Sequence, residues 1–422
     1  MNRTLLRQIA WVLYDAANSG FGLIVLGPVF VSAFTDAMLP QQPGWPQGEA
    51  DRIARGLEAF GIMLPGSGVV ALLAAIVAAI VVLCAPVLGA LADARGWQRR
   101  LFVGFGVTGG LVGLCLALLG EQSWLAGAVI YVVGFVCFGL ANQFYNAYLP
   151  QLAPPDKQGL LSGIGFAVGY IGGAGGMLLA VLYLPKPYSW AFGGVWWLVL
   201  ATPAYLLMPS VPATRDCGKK SIIADGFGRV WETFHEVRKY RVLFVFLAAF
   251  LLYSNGTETI INLSPAFGSD VIGMSEGELV RMFLIVQLVA FLGALGAGFI
   301  SDRVGNKPVI VTTLVVWCVG SSLMFFITTP MQFTAMACVI GVVLGGVQSS
   351  SRALMAQLAP EEIRNEAFGL YAIGSKAVSV FGPLLYVVLS AALGARFGVF
   401  AVLPFLLAGL LILLTVREPK SA

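Results

Sequence analysis

Asp15 stands inside the apolar run WVLYDAANSGFGLIVLGPVF (residues 11–30). A charge at the centre of a bilayer-spanning helix costs roughly 2.5–3.5 kcal/mol, so an acid placed there needs a role. Asn18 follows three residues later and shares its helix face. The same pattern recurs along the chain. Asn142 and Asn146 are one turn apart with Gln143 beside them, and Asn255, Glu258, Thr259 and Asn262 form a stripe at helical spacing. Gln348, Ser349 and Arg352 end one apolar run, while Tyr371 and Lys376 sit inside another. These residue types coordinate a polar solute. The two carboxylates could also take up and release a proton as a low-dielectric cavity alternates sides. Glu258 lies about mid-run and Asp15 nearer one end. Lys376 could neutralise Glu258 or bind a solute carboxylate.

Each residue also has a structural reading. Asp15 could hydrogen-bond a neighbouring helix, and Glu258 and Lys376 could pair between helices. Asn142 and Asn146 could be interhelical glue. Arg352, at the end of its run, reads as an anchor at the inner membrane interface.

The elements that must position these residues follow from composition. The chain has 422 residues, 58% hydrophobic and 11% charged, with mean hydropathy +0.87. A soluble chain carries about 25% charged residues, so this is an integral membrane protein. A bilayer core takes about 20 apolar residues per helix. Twelve segments qualify: 9–34, 67–91, 100–119, 124–147, 159–184, 190–208, 242–267, 279–300, 308–328, 331–352, 366–393 and 397–416. Each must be a helix, because lipid satisfies no backbone polar group. The first is expected to be retained, since MNRTLLRQIAWVLYD carries no small-residue cleavage site after a short apolar region.

An even number of spans puts both termini on one side. Arg52, Arg55, Lys186, Arg281 and Arg396 fall on the other side and Lys376 within a span, leaving 19 of the 25 lysines and arginines on the terminal side. The positive-inside rule makes that side cytoplasmic, at what is expected to be the cell (inner) membrane. The net charge of +4 reads as topology rather than nucleic-acid affinity. The longest cytoplasmic connection, 209–241, divides the chain into units of 1–208 and 242–422. In it Phe227, Val230, Trp231, Phe234 and Val237 recur at helical spacing, which predicts an amphipathic helix on the inner leaflet.

Several chemistries are excluded or unsupported. Six scattered cysteines and one histidine, His235, form no metal pattern, so no metal or cofactor is expected. GFGVTG (104–109) fits a nucleotide fingerprint by spelling alone, since it lies inside a span with no strand before it. No Walker lysine loop, HExxH or GxSxG is present, so neither an ATP-driven pump nor an enzyme is expected. The glycines of GIGFAVGYIGGAGG (163–176), with Gly165, Gly169 and Gly173 at four-residue steps, permit close helix packing and small rocking motions.

The halves repeat each other. GALADARGWQRR (89–100) and GFISDRVGNKPV (298–309) follow spans two and eight, and QLAPPDKQGLLSG (151–163) and QLAPEEIRNEAFG (357–369) lead into spans five and eleven. Internal repeats of this kind mark secondary transporters. The first pair resembles the signature loop of the major facilitator superfamily, G-x-x-x-D-R-x-G-R-R/K. Gly298, Asp302, Arg303, Gly305 and Lys307 match in the second copy. Gly89, Asp93, Gly96, Arg99 and Arg100 match in the first, with Ala94 where the arginine usually stands and Arg95 next to it. The resemblance implies an all-α fold of twelve transmembrane helices in two pseudosymmetric bundles. It also implies a central cavity lined by spans one, four, seven and ten, and a cytoplasmic gate at Asp93, Arg95, Asp302 and Arg303.

LYDAANSGF (13–21), FYNAYLPQLAP (144–154), YSNGTETI (253–260) and the long block 345–383 resemble the vacuole-effluxer branch. That branch usually has Asp-Gly where this chain has Asn255-Gly256, and Glu258 stands nearby. The resemblance implies transport of amino acids or related metabolites, as the branch's yeast member exports amino acids from the vacuole. Other solutes of the superfamily (sugar, drug, peptide or carboxylate) are the alternative, and a non-transporting membrane sensor a more distant one. The candidate solute and ion site is Asp15, Asn18, Asn142, Gln143, Asn146, Asn255, Glu258, Thr259, Gln348 and Lys376. The expected partners are a small-molecule solute, a proton or other coupling ion and the lipid bilayer.

Overall fold

The computed structural model describes residues 2–26, 34, 56–59, 62–119, 123–213, 240–376 and 381–418. The chain is a multi-pass membrane protein of two six-helix bundles. The first contains α1 (Arg3–Phe21), α2 (Gly66–Arg95), α3 (Gln98–Leu114), α4 (Trp124–Asn146), α5 (Gln158–Tyr183) and α6 (Lys186–Leu207). The second contains α7 (Arg241–Asp270), α8 (Glu276–Val304), α9 (Asn306–Leu323), α10 (Pro330–Leu358), α11 (Arg364–Lys376), α12 (Phe381–Leu393) and α13 (Leu403–Thr415). Among the described residues, nine helical stretches are long and apolar enough to cross a membrane by themselves. The other three spans are the charged α1, the shorter apolar stretch of α6, and span eleven, which α11 and α12 share.

Helix starts are written locally. Asn2 caps α1 by accepting from the Thr4 amide, and Ser275 and Glu278 form a capping box at α8. Thr329 caps α10 just ahead of Pro330 at its first position. Pro86, Pro203 and Pro265 lie inside helices, which spans tolerate because neighbouring groups re-satisfy the freed carbonyls. One feature falls outside the expected all-helical pattern. In the loop after span one, β1 (Gly56–Ala59) and β2 (Ile62–Pro65) pair antiparallel in register Gly56↔Pro65. The amphipathic helix expected over 227–237 lies outside the described residues.

The bundles meet through α5 against α8 and α10, and α2 against α11. The approach of α5 and α8 needs glycine. A Cβ on Gly163 would stand 2.6 Å from the Ala294 carbonyl oxygen and 2.9 Å from Gly298 Cα. Gly165, Gly169 and Gly173 face α1 instead, against Asp15 and Ser19.

The two repeat loops fold alike. Gly96 (φ +66°) and Gly305 (φ +95°) turn the chain between spans two and three and between eight and nine, where a side chain would be strained. Just beyond each turn a basic residue closes a helix end in its own bundle. Arg99 donates to the carbonyls of Tyr205 (3.1 Å) and Leu206 (3.2 Å), and Lys307 to those of Leu414 (2.8 Å) and Val416 (2.6 Å). Arg7 of α1 donates to the carbonyl next to that of Leu206, that of Leu207 (3.1 Å), so each described chain end lies beside one of the two repeat loops.

Candidate functional site

Between the bundles lies a cavity of about 240 Å³, and half of the candidate site residues, Asn142, Gln143, Asn146, Glu258 and Gln348, converge on it. The first bundle contributes Asn142, Gln143 and Asn146 from α4 and Phe166 from α5. The second contributes Tyr253, Ser254, Thr257 and Glu258 from α7, Gln348, Ser351 and Arg352 from α10, and Tyr371 from α11. Helical periodicity sorts the α7 stripe. Glu258 faces this cavity, whereas Asn255 and Thr259, four residues apart, bond each other at 3.3 Å on a face turned to Gly382 of α12. Thr259 also borders a second, apolar cavity of about 180 Å³ within the second bundle, and Asn262 is exposed. Lys376 ends α11, and its side chain lies outside the described residues.

The centre of the arrangement is an ion pair. Arg352 Nη1 donates to Asp15 Oδ2 at 2.9 Å, both side chains almost wholly buried. The guanidinium has three further hydrogen bonds. Nη1 also reaches Asn146 Oδ1 (3.4 Å), Nε donates to Ser162 Oγ (2.9 Å), and Nη2 donates to the Ser162 carbonyl (2.8 Å). Its carbon lies 4.5 Å from the Trp11 ring centre and 4.1 Å from that of Phe166, a cation–π sandwich. The aromatic wall beside it is cross-linked by hydrogen bonds. Trp11 and Tyr145 stack at 4.7 Å and exchange hydrogen bonds, the indole N–H to the Tyr145 carbonyl and the phenol to the Trp11 carbonyl. Gly165 makes the room, since a Cβ there would collide with Asp15 Oδ2 and lie 2.8 Å from Arg352 Nη2.

Arg352 is therefore not an anchor among lipid headgroups. Helix α10 continues six residues beyond it to Leu358, about 9 Å at 1.5 Å per residue. Asp15 is not a lining residue of the cavity. It stands behind Arg352 and reaches the cavity through it. Asn18 is buried and outside the lining.

Towards the face that carries the chain ends, polar latches join the bundles. Asp93 accepts from the Asn365 amide (3.2 Å), the Asn365 side chain (2.6 Å) and the Glu366 amide (3.0 Å), capping the start of α11. Asp302 accepts from the Leu160 amide (3.1 Å) at the start of α5. The two acids of the repeat thus cap reciprocal helices of opposite bundles. Ser162 donates to the Ser349 carbonyl (2.8 Å), and Gln143 to the Asn365 carbonyl (3.0 Å). Arg95 and Arg303 make no described cross-bundle bond. They lie over Trp97 (5.7 Å) and Phe299 (4.0 Å) on their own side. The sequence reading missed Ser162, Trp11, Tyr145 and Phe166. Ser162 carried a signal, as a hydroxyl among the glycines of the α5 start.

Two bundles that close one face with reciprocal caps and enclose a polar cavity are the architecture of major facilitator transporters. The proton:xylose symporter XylE matches with a TM-score of 0.73, at 15% identity, over 99% of this chain and 96% of its own. The chain belongs to the vacuole effluxer Atg22-like family, whose model matches residues 6–422. Among relatives, the MFS-type transporter YxiO of Bacillus subtilis is 28% identical over 100% of this chain and 97% of its own length. Autophagy-related protein 22 of Kluyveromyces lactis is 22% identical over 68% of this chain and 66% of its own.

Proposed function

We propose that this transporter moves amino acids or related small polar metabolites by alternating access, and that the cycle is coupled to protons through Glu258 or Asp15. The observation that carries the reading is the convergence of Asn142, Gln143, Asn146, Glu258, Gln348 and Arg352 on one cavity between the bundles. It offers a carboxylate and a guanidinium to one small ligand, a charge pattern suited to a zwitterion. At about 240 Å³ the cavity is smaller than the roughly 300–1,000 Å³ of drug-sized pockets, which favours a small solute. The family's description as vacuole effluxers supports export.

The units 1–208 and 242–422 rock against each other about the connection 209–241. The face with the chain ends is cytoplasmic, by the distribution of basic residues, in the cell membrane. Asp93 and Asp302 are the gate's latches, and Arg95 and Arg303 hold its electrostatic surroundings. With those latches made, the state described is closed to the cytoplasm.

The test is uptake of a labelled amino-acid mixture by proteoliposomes, with and without an imposed pH gradient. Uptake raised by the gradient is expected. Uptake indifferent to it overturns proton coupling. A mixture ignored by folded protein, while a sugar or dicarboxylate panel is transported, overturns the amino-acid assignment.

A further inference from the structure

We propose that Arg352 is the receptor for the solute's carboxylate, and that Asp15 is a resident stand-in for that carboxylate which keeps the face with the chain ends shut until a solute displaces it. The inference rests on the cavity being the solute site.

The geometry has three relevant features. First, Arg352 borders the cavity while Asp15 lies behind it, so the guanidinium has one side towards solute and one towards its internal anion. Second, every described hydrogen-bond partner of Arg352 comes from the first bundle, whereas Arg352 belongs to the second. When the bundles part at this face, the guanidinium leaves Asp15, Asn146 and Ser162 together. A buried cation stripped of its anion is costly, so the pair acts as a lock. An anion that travels with Arg352 removes that cost. Third, the edge of the guanidinium carrying Asp15 also touches Asn146, which lines the cavity. A solute carboxylate arriving beside Asn146 meets Nη1 and competes directly with Asp15. Planar guanidinium–carboxylate recognition is the strongest polar contact this cavity can make.

The consequence is an intramolecular competition. A solute carrying a carboxylate takes Arg352 from Asp15 and unlocks the face. The corresponding amide, with no charge, leaves the pair intact. A ligand with equal affinity for both states shifts nothing, and the swap supplies the required difference.

The experiment compares binding of each of the twenty amino acids with binding of its α-carboxamide, using full-length protein in nanodiscs. In Asp15→Asn the internal competitor is gone, so amino acids should bind at least ten-fold tighter than to the wild type, with the carboxamides unchanged. Arg352→Lys should keep a weakened preference for the acid, and Arg352→Gln should lose it. Should Asp15→Asn fail to fold, Gly165→Ala presses on the same pair while keeping both charges, and should tighten amino-acid binding to a smaller degree. Equal binding of acid and amide to the loosened protein overturns the proposal. So does weaker binding of the acid than in the wild type, the absence of binding by any of the compounds, or loss of the acid preference in Lys376→Gln with retention in Arg352→Gln. Failure here is separable from failure of the amino-acid reading. Wild-type proteoliposomes that take up amino acids, while Asp15→Asn gains no affinity, refute the swap alone. Tight carboxylate binding by Asp15→Asn, with no amino-acid uptake by the wild type, refutes the solute assignment alone.

Discussion

Glu258 and Arg352 reach one cavity from different helices of the same bundle, and they answer to different substitutions. Glu258 lines the cavity directly. Its replacement by glutamine keeps shape and hydrogen bonding and removes the titrating charge. Gradient-driven accumulation in proteoliposomes should fall at least ten-fold in Glu258→Gln, while counterflow of solute at equal pH on both sides persists. Loss of both would make Glu258 a solute ligand rather than a proton carrier. Asp15 behaves otherwise, because its carboxylate is tied to a buried cation. Removing one partner of such a pair costs about 3–5 kcal/mol. In the absence of solute, Asp15→Asn should therefore lower the thermal midpoint of purified protein by several degrees. An unchanged midpoint would mean that water reaches the pair freely.

At the scale of elements, the latches make separate predictions. Asp93 is buried and caps α11 with three hydrogen bonds, whereas Asp302 is half-buried at the start of α5. Asparagine keeps one accepting oxygen but loses the second acceptor and the charge, at a cost of about 1–2 kcal/mol, and the caps exist only while the face is shut. Asp93→Asn should raise the open population about ten-fold, since about 1.4 kcal/mol is a factor of ten, and Asp302→Asn should do less. The readout is labelling of Ala372→Cys, placed on the cavity wall, by an impermeant maleimide from the side bearing the chain ends, with the native cysteines replaced. Equal rates in wild type and Asp93→Asn would remove Asp93 from the gate. Backbone contact is tested in the same assay. A Cβ on Gly89 would stand 2.5 Å from the Asn365 carbonyl oxygen and 2.7 Å from Glu366 Cα. Neither backbone atom can yield cheaply, and overpacking costs about 1–3 kcal/mol. Gly89→Ala should therefore speed labelling as Asp93→Asn does, with no change of charge.

Over the whole molecule, the asymmetry of basic residues predicts orientation. Reporter domains fused at either end should both be active in the cytoplasm, and neither outside it. Opposite results at the two ends would break the even count of spans. Buried Arg352 does not contribute to that signal, and the asymmetry stands without it.

Much of this molecule was written in one dimension. Bilayer thickness and backbone satisfaction turn each apolar run into a helix, so span number and the repeat of loops were readable by eye. A polar residue in such a run declares itself, because nothing in lipid compensates for it. That exposed Asp15, Asn142, Gln143, Asn146, Glu258 and Gln348. What the pattern could not supply was the partner of each. Asp15 and Arg352 are 337 positions apart, on helices whose meeting depends on how two bundles dock. Hydrophobicity alone ended span ten at Arg352 and put the charge in the headgroups, whereas the docked bundles offer it an acid, a serine and two aromatic faces. Likewise periodicity placed Asn255, Glu258 and Thr259 on one helix, but only the neighbouring helices decided that Glu258 meets the cavity and the other two meet α12. Local composition determines whether a segment can lie in the membrane. Which buried charges find each other is set by contacts between segments far apart in the chain, and only the tertiary structure holds that information.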